Sequence, residues 1–248
     1  MSNSNKHDDW AKIYDIYETK YRNVYKTDAF HQNDMHSTTL EHFFKKKLFT
    51  SESFCEIGFG AGITLRRMSK IFKKVYGIDI SLENVLTTQA ELKSEGFTNI
   101  ELFHQDILKF DQRFINKFNV ITYIHGLEHF SEKDYPEFFS NIRQYLIDDG
   151  FFTGALPFEL PLRFRICPNC GNEFEIDGHL SVHSIESIKK LLETNKFKII
   201  YLSNFNKFQY IKNKGIVKYY IRESLGKIIP KLSLYSLRDQ IEFVAQKI

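Results

Sequence analysis

Short apolar runs alternate with amphipathic stretches along most of this 248-residue chain, beginning near residue 53. Such alternation predicts successive strand–helix units, which build a parallel sheet with helices on both faces. The predicted strands are residues 54–57, 74–78, 100–104, 120–124, 151–155, 198–202 and 241–246. The predicted helices are residues 63–72, 82–94, 133–146 and 185–194. The pattern therefore predicts an α/β fold with a seven-stranded, mostly parallel sheet.

The first fifty residues precede this alternation and predict an N-terminal helical cap. Within residues 10–46, Tyr14, Tyr17, Tyr21 and Tyr25 recur at intervals of three and four. This spacing stacks their side chains on one face of a helix. We expect that face to cover either a cleft or the sheet.

Length and composition indicate a single domain with insertions. A chain of 248 residues with 42% hydrophobic content can bury one substantial core. Two segments interrupt the strand–helix alternation, at residues 157–183 and 204–239. Loops of that length are usually functional.

The charge balance and the flanking segments exclude several classes of protein. A net charge of +3 and a pI near 8.5 are too mild to indicate a nucleic-acid-binding protein. The first nine residues lack the apolar core of a signal peptide, and no stretch predicts a transmembrane helix. We expect a cytoplasmic protein, in which the three cysteines do not form a disulfide framework.

A glycine-rich turn follows the first predicted strand, as Gly58-Phe59-Gly60-Ala61-Gly62. Its glycines allow a sharp turn, and the following helix offers free N–H groups to a polar ligand. Such a turn alone fits nucleotide sites of several kinds. Asp79 ends the second strand, at about the distance where a carboxylate meets ribose hydroxyls. Asp106 follows the third strand, where a carboxylate can bind an exocyclic adenine amine.

Four motifs together resemble class I S-adenosylmethionine-dependent methyltransferases: Glu56-x-Gly58-x-Gly60-x-Gly62, Asp79, Gln105-Asp106-Ile107 and Leu127-Glu128-His129. The resemblance covers about residues 50–204 and the last strand. It implies a Rossmann-like sheet whose last strand is antiparallel, between the fifth and sixth strands. It also implies that S-adenosylmethionine is bound by Glu56, Gly58, Gly60, Gly62, Asp79, Ile80, Asp106, Ile107 and Ile124.

In that family the first acid and the glycines hold the methionine part and the ribose. The resemblance assigns the ribose hydroxyls to Asp79 and the adenine amine to Asp106, with Ile80 and Ile107 flanking the adenine ring.

Candidate catalytic residues follow the fourth strand, in His125-Gly126-Leu127-Glu128-His129. Methyl transfer is an in-line displacement, and a hydroxyl acceptor must also lose a proton. Either His129 or His125 can act as general base beside Glu128, or the Glu-His pair only fixes a loop over the cofactor. The same string matches the inverted zinc-protease motif, which requires a helix that Gly126 disfavours.

The segment 157–183 carries a possible metal site. Cys167 and Cys170 flank a Pro-Asn pair, and His179 and His183 have spacing suited to the other half of a tetrahedral zinc site. A related group of bacterial methyltransferases has a similar C-P-x-C-G turn and Gly-His-Leu segment. We expect a structural zinc in a lid over the acceptor.

Two alternatives to that zinc site remain. One histidine faces the substrate while Asp177 or Glu173 completes the metal site, or the cysteines form a reduced, buried pair without metal. The third cysteine, Cys55, is expected in the core.

The segment 204–239 is strongly basic. Against two acids, Glu223 and Asp239, it contains Lys207, Lys212, Lys214, Lys218, Arg222, Lys227, Lys231 and Arg238. Interleaved apolar residues predict an amphipathic helical cap, which either attracts a phosphorylated or membrane-bound acceptor or is only a solvated face. Arg163 and Arg165, in the other insertion, are candidates for binding a phosphate or carboxylate.

Three functional hypotheses follow. The first is O-methylation of a small polar acceptor, such as a sugar, nucleotide-linked or phosphorylated precursor of bacterial surface polysaccharide. The second is methylation of a lipid-linked or quinone-type acceptor at the membrane surface. The third is a non-catalytic, S-adenosylmethionine-binding regulatory protein. Methylation of a nucleic-acid base amine is disfavoured, because strand four ends in Leu-Glu-His and not in an Asn-Pro-Pro-Tyr-like motif.

Overall fold

The computed structural model describes residues 6–226 and 240–248. Its strands are β1 Ser53–Ile57, β2 Lys74–Asp79, β3 Ile100–His104, β4 Phe118–Ile124, β5 Leu146–Pro157, β6 Phe164–Ile166, β7 Glu173–Glu175, β8 Phe197–Ser203 and β9 Gln240–Lys247. Its helices are α1 Lys6–Lys45, α2 Ile63–Met68, α3 Leu82–Ser94, α4 Tyr135–Tyr145, α5 Ile185–Thr194, α6 Lys207–Lys214 and α7 Ile216–Gly226.

Seven of these strands form one sheet, in the order β3-β2-β1-β4-β5-β9-β8. Strands β1 to β5 pair in parallel, whereas β9 is antiparallel to both of its neighbours. The predicted Rossmann-like sheet with an antiparallel last strand is therefore confirmed. The chain crosses from β3 back over β1 to β4, which opens a crevice at the carboxyl ends of these strands.

Both faces of the sheet are covered, which explains why its central strands are mostly apolar. All five residues of β1 are buried. Phe138, Phe139 and Phe152 pack on one side, and Phe54 and Leu65 belong to the cluster on the other. Continuous burial is typical of parallel strands between two helical layers.

Local sequence signals explain the helix boundaries. The Ser81 side chain accepts the N–H of Asn84 and caps α3. Ser184 and Ser187 form a reciprocal capping box at the start of α5. Helix α2 ends at Met68, four residues earlier than predicted.

The N-terminal segment forms one helix that spans the cleft and the sheet. Tyr14 lines the cleft, and His36 Nε2 lies 2.9 Å from Thr122 Oγ1 in β4. Of the tyrosine face predicted to cover a cleft or the sheet, Tyr14 therefore lies at the cleft. The side chains of Tyr17, Tyr21 and Tyr25 lie outside the described part of the chain.

The two insertions have different structures. The first contains the hairpin of β6 and β7, and the second contains α6 and α7. Residues 227–239, with Lys227 and Lys231, lie outside the described residues. Among the helices within 6–226, none is both long and apolar enough to cross a bilayer.

Candidate active site

A cleft of about 770 Å³, partly open to solvent, lies at the carboxyl ends of the parallel strands. Nine of the residues predicted from the sequence line it: Gly58, Gly60, Asp79, Ile80, Asp106, Ile107, Ile124, His125 and His129. The lining also includes Tyr14, Asn84, Tyr123 and Phe130, which the sequence motifs did not single out. The tyrosine repeat of α1 included Tyr14 on the helix face predicted to cover either a cleft or the sheet. The repeat alone did not show which of the two surfaces Tyr14 contacts.

The glycine turn after β1 has the backbone conformation that favours glycine. Its φ angles are 62° at Gly58, 48° at Gly60 and 68° at Gly62. The Gly58 N–H donates to the Ile78 carbonyl at 2.7 Å, and the Gly60 N–H donates to Asp79 Oδ2 at 3.0 Å. The turn is therefore fastened to the end of β2 by main-chain and side-chain bonds.

Asp79 is buried between the glycine turn and the start of α3. Its Oδ1 accepts the N–H of Ser81 at 2.9 Å, while Oδ2 accepts the bond from Gly60. Burial raises the pKa of Asp79, against the lowering effect of these hydrogen bonds. Each carboxylate oxygen has a further lone pair, so the group can also accept ligand hydroxyls.

Asp106 and two isoleucines form the next part of the lining. Asp106 Oδ1 accepts the N–H of Leu108 at 2.9 Å, which orients the carboxylate. Ile107 is buried and Ile80 is half-buried. A carboxylate that accepts hydrogen bonds beside two apolar side chains suits an aromatic base that carries an amino group. The residues present therefore fit the adenosine part of S-adenosylmethionine.

Two predicted cofactor residues do not line the cleft. A Cβ on Gly62 would lie 2.9 Å from Thr88 Cγ2, so this glycine permits close packing of α2 against α3. Glu56 is buried in β1, and burial raises its pKa. Glu56 Oε2 has no hydrogen-bond partner among the described residues.

The histidine-containing turn after β4 forms another part of the cleft wall. His125 has a φ of 50°, and its N–H donates to the Ala155 carbonyl at 2.7 Å. A Cβ on Gly126 would lie 1.9 Å from Tyr123 Cζ, so only glycine fits there. Residues Leu127–His129 form a single 3-10 turn. The zinc-protease alternative is wrong, because this string is not on an α-helix.

The half-buried His125 and the buried Glu128 form a pair within this turn. His125 Nδ1 lies 3.4 Å from Glu128 Oε1. His125 Nε2 is buried and has no hydrogen-bond partner in the described part of the chain. Burial acts to raise the pKa of Glu128, but His125 and His129 outweigh it and hold this pKa below its usual value.

The methyltransferase-domain family model matches residues 28–202 of the chain, more than half of its length. The chain belongs to the methyltransferase family. Among curated protein sequences none matches this methyltransferase significantly.

Solved structures agree with the fold of the methyltransferase. An S-adenosylmethionine-dependent methyltransferase from Clostridium acetobutylicum is 15% identical with a TM-score of 0.64, covering 92% of this chain and 98% of that chain. The DhpI–SAH complex is 13% identical with a TM-score of 0.65, covering 97% and 96%. A SAM-dependent methyltransferase from Aquifex aeolicus is 15% identical with a TM-score of 0.56, covering 84% and 89%. These likenesses show that the chain has the same fold as S-adenosylmethionine-dependent methyltransferases.

The insertion after β5 contacts the histidine-containing turn of the methyltransferase. His129 Nδ1 donates to the Gly178 carbonyl at 3.0 Å. The N–H groups of Leu180 and Ser181 donate to the Glu128 carbonyl at 2.8 and 3.1 Å. These bonds place His179 beside the turn, and its ring centroid lies 5.2 Å from that of His129. Burial lowers the pKa of His179.

The four residues predicted to bind zinc are not brought together. His179 lies with Glu128 and His129, whereas His183 Nε2 lies 3.1 Å from Tyr135 Oη. Within residues 6–226 and 240–248, the groups of three or more metal-ligating atoms within 4.8 Å of one another are Glu128, His129 and His179, and Glu175, Asp177 and His179. Neither group contains Cys167 or Cys170, so the predicted four-ligand set is not assembled.

The cysteine pair lies at the turn between β6 and β7. The backbone N–H groups of Cys170 and Asn169 lower the pKa of Cys167. Cys170 is exposed and Cys167 is half-buried, so the alternative of a buried pair is wrong. Cys55 is fully buried in the core, as predicted. Zinc at this pair stays a prediction.

Proposed function

We propose that this methyltransferase methylates a hydroxyl oxygen of a small polar acceptor. The acceptor class is a sugar, nucleotide-linked or phosphorylated precursor of surface polysaccharide. The observation that carries this proposal is the His125–Glu128 pair in the wall of the cofactor cleft. A hydroxyl must lose its proton as it attacks, and an imidazole beside a buried carboxylate is suited to accept it.

S-adenosylmethionine supplies an electrophilic methyl group on a sulfonium centre. We assign the ribose hydroxyls to Asp79 and the adenine amine to Asp106, with Ile80 and Ile107 flanking the ring. The glycine turn and Glu56 are assigned to the methionine part, which agrees with the unpartnered Oε2 of Glu56. Because the Asp79 and Asp106 carboxylates are each held by hydrogen bonds from backbone N–H groups, the chain orients the methyl donor before reaction.

His125 is the proposed proton acceptor, and Glu128 holds its ring through the Nδ1 contact of 3.4 Å. His129 is the second candidate, oriented by its bond to the Gly178 carbonyl. Arg165 is the arginine that we assign to a phosphate on the acceptor: it is exposed on β6, whereas Arg163 already pairs with Asp177 at 2.6 Å.

The cofactor assignment predicts the effect of two substitutions. Asp79→Ala removes the acceptor for the ribose, and Gly60→Val places a side chain where the backbone has a positive φ and meets the ligand. We expect each to weaken S-adenosylhomocysteine binding at least about tenfold, or 1.4 kcal/mol, in calorimetry. Asp148→Ala, which removes an exposed carboxylate, is the control. Unchanged affinity in both folded variants would refute the assignment.

The acceptor is tested by screening sugars, sugar nucleotides and phosphorylated sugars for methyl transfer, followed by mapping of the methylated atom. A methyl ether on a hydroxyl supports the proposal, whereas a methylated nitrogen or carbon rejects it. S-adenosylhomocysteine binding without transfer to any acceptor would favour the non-catalytic, regulatory alternative.

A lipid-linked or quinone-type acceptor is the second candidate, because α7 exposes an apolar surface. Ile216, Val217, Tyr220 and Ile221 are each more than half exposed. The exposed lysines Lys212, Lys214 and Lys218 are nearby in sequence. Apolar side chains among lysines suit an anionic membrane surface. Flotation with anionic vesicles that is lost in Ile216→Ser/Val217→Ser would favour this candidate, with uncharged vesicles as the control.

A further inference from the structure

We propose that Glu128, His129 and His179 form a binding site for one divalent transition-metal ion beside the methyl-donor cleft. The three residues come from the turn after β4 and from the insertion after β5. Their ligand atoms all lie within 4.8 Å of one another. This spacing allows a single ion to contact all three.

Glu128 is the main reason to expect a cation there. The residue is only 2% exposed, and neither carboxylate oxygen has a hydrogen-bond partner in the described part of the chain. Apart from the 3.4 Å contact of Oε1 with His125 Nδ1, the carboxylate is unsatisfied within the described residues. Burying a charge without hydrogen bonds is costly, and buried charges are usually paired or bound to metal. The contact of Oε1 with His125 leaves Oε2 as the oxygen for an ion.

His129 is already oriented as a ligand. Its Nδ1 donates to the Gly178 carbonyl at 3.0 Å, so in the neutral ring Nε2 carries the lone pair. Histidine ligands commonly donate their other ring N–H to a carbonyl or carboxylate in this way. The His179 backbone is held as well, because its N–H donates to Glu175 Oε2 at 2.8 Å.

The second group of potential ligands, Glu175, Asp177 and His179, is less suitable. The Glu175 carboxylate accepts the backbone N–H groups of Arg163, Asp177 and His179. Asp177 pairs with Arg163 at 2.6 Å. These carboxylates are satisfied by the protein, whereas that of Glu128 is not.

Two imidazoles and one carboxylate favour ions such as Zn²⁺, Fe²⁺, Co²⁺ or Mn²⁺ over Mg²⁺ and Ca²⁺. Three protein ligands leave coordination positions open, which is typical of catalytic sites. The role of the ion rests on the proposed O-methyl transfer: an acceptor hydroxyl that binds the ion is more acidic. Its proton goes to His125, the oxygen bonds to the methyl carbon, and the electron pair of the broken carbon–sulfur bond stays on sulfur.

The test uses metal-stripped full-length Cys167→Ser/Cys170→Ser protein, which lacks the other predicted metal ligands. Co²⁺ is titrated without acceptor and followed by its visible absorption and by calorimetry. We expect one Co²⁺ to bind per chain, with Zn²⁺ competing for the same site. Absence of Co²⁺ and Zn²⁺ binding would overturn the proposal. Because no acceptor is present, that result leaves O-methyl transfer to be judged separately.

Substitutions in this background locate the site. Glu128→Gln and His179→Asn should each weaken Co²⁺ binding at least about 100-fold, since even outer-shell changes at metal sites cost 10- to 100-fold. Asp177→Asn is the matched control and should leave the affinity unchanged. Retained S-adenosylhomocysteine binding shows that each variant is folded. Undiminished Co²⁺ binding in folded Glu128→Gln protein, or an equal loss in Asp177→Asn, would overturn the assignment.

Discussion

His125 holds a left-handed backbone conformation, with a φ of 50°, at the end of β4. For a residue other than glycine this conformation costs about 1–2 kcal/mol. The N–H bond to Ala155 and the close packing of Gly126 on Tyr123 maintain it. Such strain collects at functional sites, which agrees with the proposed role of His125 in proton removal.

His125→Asn tests this role while retaining the backbone, because asparagine tolerates the left-handed region. We expect kcat/KM for the acceptor to fall by about 10²- to 10⁴-fold, the usual contribution of a general base. The affinity for S-adenosylhomocysteine should be unchanged and is the internal control. Full activity in steady-state assays would exclude His125 and direct attention to His129.

At the scale of elements, α3 and α5 end in the same way with different residues. Each helix is followed, two residues on, by a residue with positive φ: Gly96 at 82° after α3, and Lys196 at 58° after α5. Glycine adopts this conformation without steric cost, whereas lysine does not. The end of α5 is therefore less stable than it would be with glycine at position 196.

Two reciprocal substitutions measure this difference. Gly96→Ala should lower the free energy of unfolding by about 1 kcal/mol, although a Cβ there meets no atom within 4 Å. Lys196→Gly should raise it by about 0.5 kcal/mol. Urea denaturation of both variants provides the measurement. Destabilisation by Lys196→Gly would show that the lysine side chain contributes more than its backbone conformation costs.

At the scale of the whole molecule, a buried polar network joins the N-terminal helix to the last strand. Glu242 in β9 accepts hydrogen bonds from Thr39 at 2.7 Å, Asn206 at 2.7 Å and Gln240 at 3.0 Å. His36 Nδ1 lies 3.8 Å from the same carboxylate. Residues far apart in sequence are therefore held by one fully buried group.

Glu242→Ala should lower the free energy of unfolding by about 3 kcal/mol or more, because it leaves several buried donors without an acceptor. Chemical denaturation at neutral pH measures the loss. Glu186→Ala, in the exposed first turn of α5, should change stability by less than about 0.5 kcal/mol. A loss for Glu242→Ala no larger than that of the control would show that water replaces the carboxylate.

The sequence by itself determined the sheet, because strand and helix periods are local. It also predicted that Gly58, Gly60, Asp79 and Asp106 lie at one edge of the sheet, because the carboxyl ends of parallel strands meet there. Glu56 and Gly62 showed the limit of this reasoning, since a motif does not reveal which of its residues line the cleft.

Only the tertiary structure decided what the insertion after β5 contacts. Spacing alone grouped Cys167, Cys170, His179 and His183, but the Gly178 carbonyl bonds to His129, 49 residues away in sequence. That bond, together with those to the Glu128 carbonyl, places His179 beside Glu128 and His129 and away from the cysteines. The physical reason is that the polar groups of an insertion form hydrogen bonds with residues that the rest of the fold brings beside it. Those residues are distant in sequence, so local spacing does not reveal them.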